Sequence, residues 1–160
     1  MKRFAVLILV MILLLSFGGC FGQNPDETPL LIHSNGQDHE PYCTFAWAAS
    51  YTAEGWLSAS GYRISMLPPD VFNEFPEIRY SSDFTLQYGK NASLSFVTVY
   101  DSDRKILHDH TTEEVLKDLE PGTYYLVFDL TVRGRYIAPE EQHESTGYEC
   151  AFKLVVPKAP

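Results

Sequence analysis

Two stretches of strict alternation near the end of the chain constrain the fold more than any other feature. Over residues 124–132, YYLVFDLTV, the side chains of Tyr124, Leu126, Phe128, Leu130 and Val132 share one face. Asp129 and Thr131 face the other way. Over residues 148–156, YECAFKLVV, Tyr148, Cys150, Phe152, Leu154 and Val156 alternate against Glu149 and Lys153. A strand repeats its side chains every two residues, so each run is a strand with one buried face and not a helix. Further short runs have the same character: 94–100 and 84–88, with Gly89-Lys90-Asn91 as the turn between them, 44–51, 61–65 and 30–33. A short strand over 104–108 follows the turn Asp101-Ser102-Asp103. Residues 111–119 predict one helical turn, with Thr111 and Thr112 as caps, acid in the first turn, and Pro121-Gly122 beyond its end. Residues 68–72 predict a second short helix or an irregular loop, which Pro76 interrupts. About seven short strands with one or two helical turns predict an all-β, immunoglobulin-like β-sandwich. The long, Glu-rich stretch 133–147 reads as a loop joining the last two strands.

The first twenty residues read as an address. Met1-Lys2-Arg3 is basic, residues 4–15 are an unbroken apolar run, and Ser16-Phe17-Gly18-Gly19-Cys20 follows. Twelve apolar residues match a signal-peptide core and fall short of the roughly 20 that a spanning helix needs. The small residues before Cys20 resemble the lipobox of bacterial lipoproteins. That resemblance implies cleavage before Cys20 and a diacylglyceryl group on its sulfur. Two acyl chains anchor a protein where one is marginal. The expected organisation is a lipoprotein signal peptide over 1–19, a lipidated Cys and flexible tether over 20–29, and a β-sandwich domain over 30–160. The expected location is the outer face of the cell membrane.

Charge narrows the partners. All 21 acidic residues follow Cys20, against 10 basic ones, so the mature chain carries a net charge of −11. Nucleic-acid binding is excluded on that balance, as is a polybasic grip on lipid. With Cys20 lipidated, Cys43 and Cys150 remain, and an oxidising exterior favours a disulfide between them over two buried free thiols.

Two further resemblances follow. Leu119-Glu120-Pro121-Gly122-Thr123-Tyr124 resembles the L-x-P-G-T-x-Y turn that enters a late strand of immunoglobulin-like and fibronectin type III-like domains. Family spacing puts the corner tyrosine at Tyr125, while the apolar face of the strand selects Tyr124. Glu40-Pro41-Tyr42, Trp47, Ser50-Tyr51 and Glu54-Gly55-Trp56-Leu57 are similar to extracytoplasmic regions of Gram-positive bacteria, some fused to membrane metallopeptidase sensors. The resemblance implies a sensory or accessory domain, with no catalytic residues to carry over.

No nucleophile elbow, phosphate loop or dinucleotide fingerprint is present in the sequence, so the expectation is a non-enzyme without a cofactor. Trp47 is expected in the core, and Trp56 at a loop or edge. Trp56, Tyr136 and His143 are the candidate ligand-binding residues, for a protein partner or a cell-envelope glycan. The alternative is a metal-binding accessory protein. His108 and His110 would share one side of an extended segment, and His143 would add a third ligand. Asn91-Ala92-Ser93 spells a glycosylation sequon, which a bacterial lipoprotein does not normally use.

Overall fold

The computed structural model describes residues 28–158. The signal peptide expected over 1–19, Cys20 and all of the expected tether except Thr28 and Pro29 lie outside the described residues. The described residues form an all-β sandwich of ten strands. A three-stranded sheet runs β2 (Gln37–His39), β1 (Leu30–Ser34), β6 (Thr85–Tyr88). A seven-stranded sheet runs β4 (Gly55–Ser60), β3 (Tyr42–Thr52), β10 (Gln142–Val156), β9 (Gly122–Ile137), β7 (Ala92–Tyr100), β8 (Ile106–Thr111). The short strand β5 (Glu77–Arg79) pairs in parallel with β10; all other pairings are antiparallel.

The alternation read from sequence positions the core. Leu126, Phe128 and Leu130 of β9 and Cys150, Phe152 and Leu154 of β10 meet Leu30 and Ile32 of the small sheet in one buried cluster. Phe128 and Phe152 stack with ring centroids 5.5 Å apart. The opposite face of the large sheet is covered too. Two short 3-10 helices, Ile64–Met66 and Pro69–Asn73, bring Ile64, Val71, Phe72 and Phe75 onto Val127 and Ala151. Central strands covered on both sides explain why Val127, Asp129 and Glu149 are buried although they face away from the main core.

The disulfide joins Cys43 to Cys150, 107 residues apart in sequence. It links directly opposed residues of neighbouring strands β3 and β10. In antibody domains the bridge spans the two sheets instead. Cys150 is fully buried in the core, whereas Cys43 is exposed. At the corner before β9 the tyrosine is Tyr124: its hydroxyl donates to the Glu120 carbonyl at 3.0 Å. Tyr125 faces away, edge-on to Phe72.

Several local expectations are corrected. The strand expected at 61–65 lies earlier, as β4, and Ile64–Met66 is a 3-10 turn. Residues 84–88 and 94–100 do form strands, but β6 and β7 belong to different sheets, so their turn passes between layers and closes no hairpin. The stretch 133–147 is mostly strand. β9 and β10 continue as a two-stranded ribbon to Ile137 and Gln142, closed by the 3-10 turn Ala138–Glu140 and by Glu141 in the left-handed region at φ 51°. Trp47 belongs to neither core cluster; it is half-buried, with its indole over Gly147 on the outer face. A Cβ at 147 would come within 2.0 Å of that ring.

Candidate functional site

Strand direction gathers several features at one end of the sandwich. β1 begins there, and the carbonyl of Pro29 accepts from the backbone N–H of Gly89, 3.1 Å away, in the β6–β7 turn. The β3–β4 turn and the β9–β10 ribbon reach the same end. Past Val132, β9 loses its pairing with β7, and past Ser145 toward the ribbon tip, β10 loses its pairing with β3. The ribbon is tied down by Glu144. Its carboxylate accepts from the Ser50 hydroxyl at 2.8 Å, the Tyr51 backbone N–H at 3.2 Å and Arg135 at 3.1 Å. These bonds, led by those from Arg135 and Ser50, hold the Glu144 carboxyl below the usual carboxylate range.

Three candidate residues from the sequence lie at this end. Trp56 on β4 stacks edge-on against Tyr51, with centroids 5.6 Å apart, and is 37% exposed. Tyr136 on β9 is 52% exposed and lies against His143 of β10, with ring centroids 5.1 Å apart. Below that pair is a cleft of about 420 Å3 lined by Asn91, Ala92, Ser93, Arg133, Gly134 and His143.

His108 and His110 are elsewhere, on edge strand β8. They do not share a side as an extended pair would. His110 has φ 48°, and the β7–β8 register shifts between the pairs Val97↔Thr111 and Val99↔His108. This irregularity turns the His110 ring onto Phe96, with centroids 4.1 Å apart, while its Nδ1 lies 2.8 Å from Asp109. Among the described residues no group of three or more His, Cys, Asp or Glu side chains is gathered to hold a metal ion, so His108, His110 and His143 do not converge.

A second feature was not anticipated. On the outer face of the large sheet, Asp129 and Glu149 are register partners on β9 and β10. Each lies 3.2 Å from Arg63 Nη1. Glu149 also accepts from the backbone N–H of Ile64. Arg63, Ser65, Phe96, Thr98, Tyr100, Asp109 and His110 line a pocket of about 160 Å3 beside Glu149. Burial raises the Asp129 and Glu149 carboxyls, against the opposing pull of Arg63 and, for Glu149, of the Ile64 N–H. Burial likewise raises the Tyr100 phenol, and the nearby charges of Glu149 and Asp109 add to the shift. The arrangement pins the 61–75 segment to the sheet through one shared cation.

The chain matches no protein-family model, no curated protein and no solved structure.

Proposed function

We propose that this chain is a lipid-anchored extracytoplasmic binding or sensory domain, non-catalytic, that engages a partner protein or a cell-envelope ligand. The observation that carries the reading is the gathering of Trp56, Tyr136 and His143 at the end of the sandwich where the chain enters the fold. Exposed aromatic rings on rigid strands offer apolar contact area with little ordering entropy, which suits stacking on a sugar ring or anchoring a protein loop. The lipobox-like sequence before Cys20 supports the anchor, and the Cys43–Cys150 bridge is in keeping with an oxidising compartment.

The anchor is tested by fractionating cells that express the full chain, with metabolic lipid labelling. The expected result is a labelled membrane protein whose label is lost in Cys20→Ser. A full chain that stays unlabelled and soluble overturns the anchor. The binding end is tested by in-cell crosslinking from positions 56 and 136. Discrete adducts lost in Tyr136→Ala support the reading. Their absence from both positions counts against it.

A further inference from the structure

We propose that the cleft between the β6–β7 turn and the foot of the β9–β10 ribbon binds a phosphate group. The first argument is charge. The chain is strongly acidic, yet no carboxylate lines this cleft. Arg135, next along β9, is neutralised by Glu144, and Arg63 by Asp129 and Glu149. Arg133 has no ion-pair partner among the described residues, and it opens on the cleft together with His143. An unneutralised guanidinium presents a fork of donors matched to a tetrahedral oxyanion. Asn91 also lines the cleft and adds an amide, while the Ser93 hydroxyl beside it donates to the Thr131 carbonyl at 3.3 Å.

The second argument is construction. The Arg133 backbone N–H donates to the Asn91 carbonyl at 3.0 Å, which locks the two walls together. Asn91 holds a left-handed conformation at φ 68°. The β9–β10 register shifts between His143 and Ser145, at the cleft itself. Such irregularities re-aim side chains, and proteins use them beside binding sites.

The third argument is position, and it suggests the source of the phosphate. Pro29 bonds to Gly89, two residues from Asn91, so the cleft adjoins the point where the chain enters the fold. Pro29 lies nine positions after Cys20 in sequence, a reach of at most about 30 Å. A domain anchored at Cys20 keeps this cleft within reach of lipid headgroups. Glu54, Glu140 and Glu141 at the same end oppose a general attraction to an anionic surface, so the contact is to single phosphates and not to the surface field. The lipid source rests on the anchored reading proposed above; the phosphate chemistry does not.

The test uses the full chain in non-ionic detergent, with inorganic phosphate titrated at constant ionic strength and amide shifts followed by NMR. The expected result is saturable movement at Asn91, Ser93 and Gly134, with the dissociation constant raised roughly tenfold in Arg133→Ala. Lys117→Gln, on the 3-10 turn Glu113–Asp118 and outside the cleft lining, changes it by less than about twofold. Absence of movement, or equal movement in Arg133→Ala, overturns the proposal. A second arm places the same chain in phosphatidylglycerol nanodiscs. The same resonances shifting there without added phosphate assign the site to lipid headgroups. Shifts with free phosphate but none in nanodiscs keep the phosphate site and overturn its lipid source. Failure of the Cys20 labelling experiment, by contrast, leaves the phosphate titration intact.

Discussion

Replacing Arg63 with Ala leaves Asp129 and Glu149 facing each other with no cation, each side chain only 6% exposed. Stranding buried charge in this way costs about 3 kcal/mol or more. Urea unfolding well above the pair's elevated titration should show that loss, and a smaller one once the pH is low enough to protonate the carboxyls. The wild type has its own pH slope from this pair. Burial raises both carboxyls in the folded state, so their contribution is fully present below the ordinary carboxylate range. It is lost as pH rises through their elevated titration. Asp129→Asn, which keeps an acceptor for Arg63, should therefore flatten the slope above the ordinary carboxylate range, at little stability cost near neutrality. An unchanged slope would count against the cluster as its cause. Asp83 behaves in the opposite sense. Its carboxylate, bonded by the Ser81 hydroxyl and by the Gly36 and Asn35 N–H groups, titrates down at about 2. What it contributes is present above the ordinary carboxylate range and lost as pH falls through that value. Gly147 supplies a further test at this scale. With the Trp47 ring over it, Gly147→Ala should lower stability by about 2 kcal/mol, measurable by thermal unfolding. Little of this was legible in the sequence. Asp129 and Glu149 were correctly assigned to the face away from the core, but Arg63 lies 66 and 86 residues from them, and no local pattern announces such a pairing.

Elements were legible where the two faces differ in polarity. Over their inner halves β9 and β10 turn a uniformly apolar face to the small sheet, while the other face, although covered by the 64–75 segment, carries Asp129, Glu149 and Lys153. Their outer halves form the ribbon, where Arg133, Gly134, Arg135 and Tyr136 are all exposed; with no buried face there is no alternation to read. β4 was misplaced for the same reason, since as an edge strand it exposes Trp56, Leu57 and Ser58 in succession. One signal was present and went unused. Asn35-Gly36 joins β1 and β2 with φ of 54° and 71°, the two left-handed residues of a tight hairpin. Gly36→Val should strain that turn and lower stability by about 1 kcal/mol or more, with amide exchange accelerated in β1 and β2 before β9 and β10. Uniform acceleration across both sheets would argue that the hairpin is no separate unit.

Across the whole molecule, the disulfide closes a loop that holds most of the fold, from the start of β3 to the middle of β10. A cross-link over about a hundred residues stabilises by roughly 4–5 kcal/mol in the chain-entropy picture. A Cys43→Ala/Cys150→Ala double variant should lose stability on that order in denaturant titration. A change below about 1 kcal/mol would mean that the unfolded chain is held together by other contacts. The net charge of −9 over the full chain adds a diffuse repulsion that salt screens. The melting temperature should rise modestly with ionic strength.

The two ends of that bridge are unequal, and the inequality gives its chemistry a direction. Thiol–disulfide exchange begins with a thiolate reaching one sulfur in line. Only the Cys43 side of the bridge meets solvent, while Cys150 sits among Phe128, Phe152 and Leu154. An incoming oxidoreductase should be captured as a mixed disulfide on Cys43, with Cys150 as the leaving thiol that later expels it. Trapping with a thioredoxin-like enzyme that lacks its resolving cysteine, followed by peptide mapping, should find the adduct on Cys43 and not on Cys150.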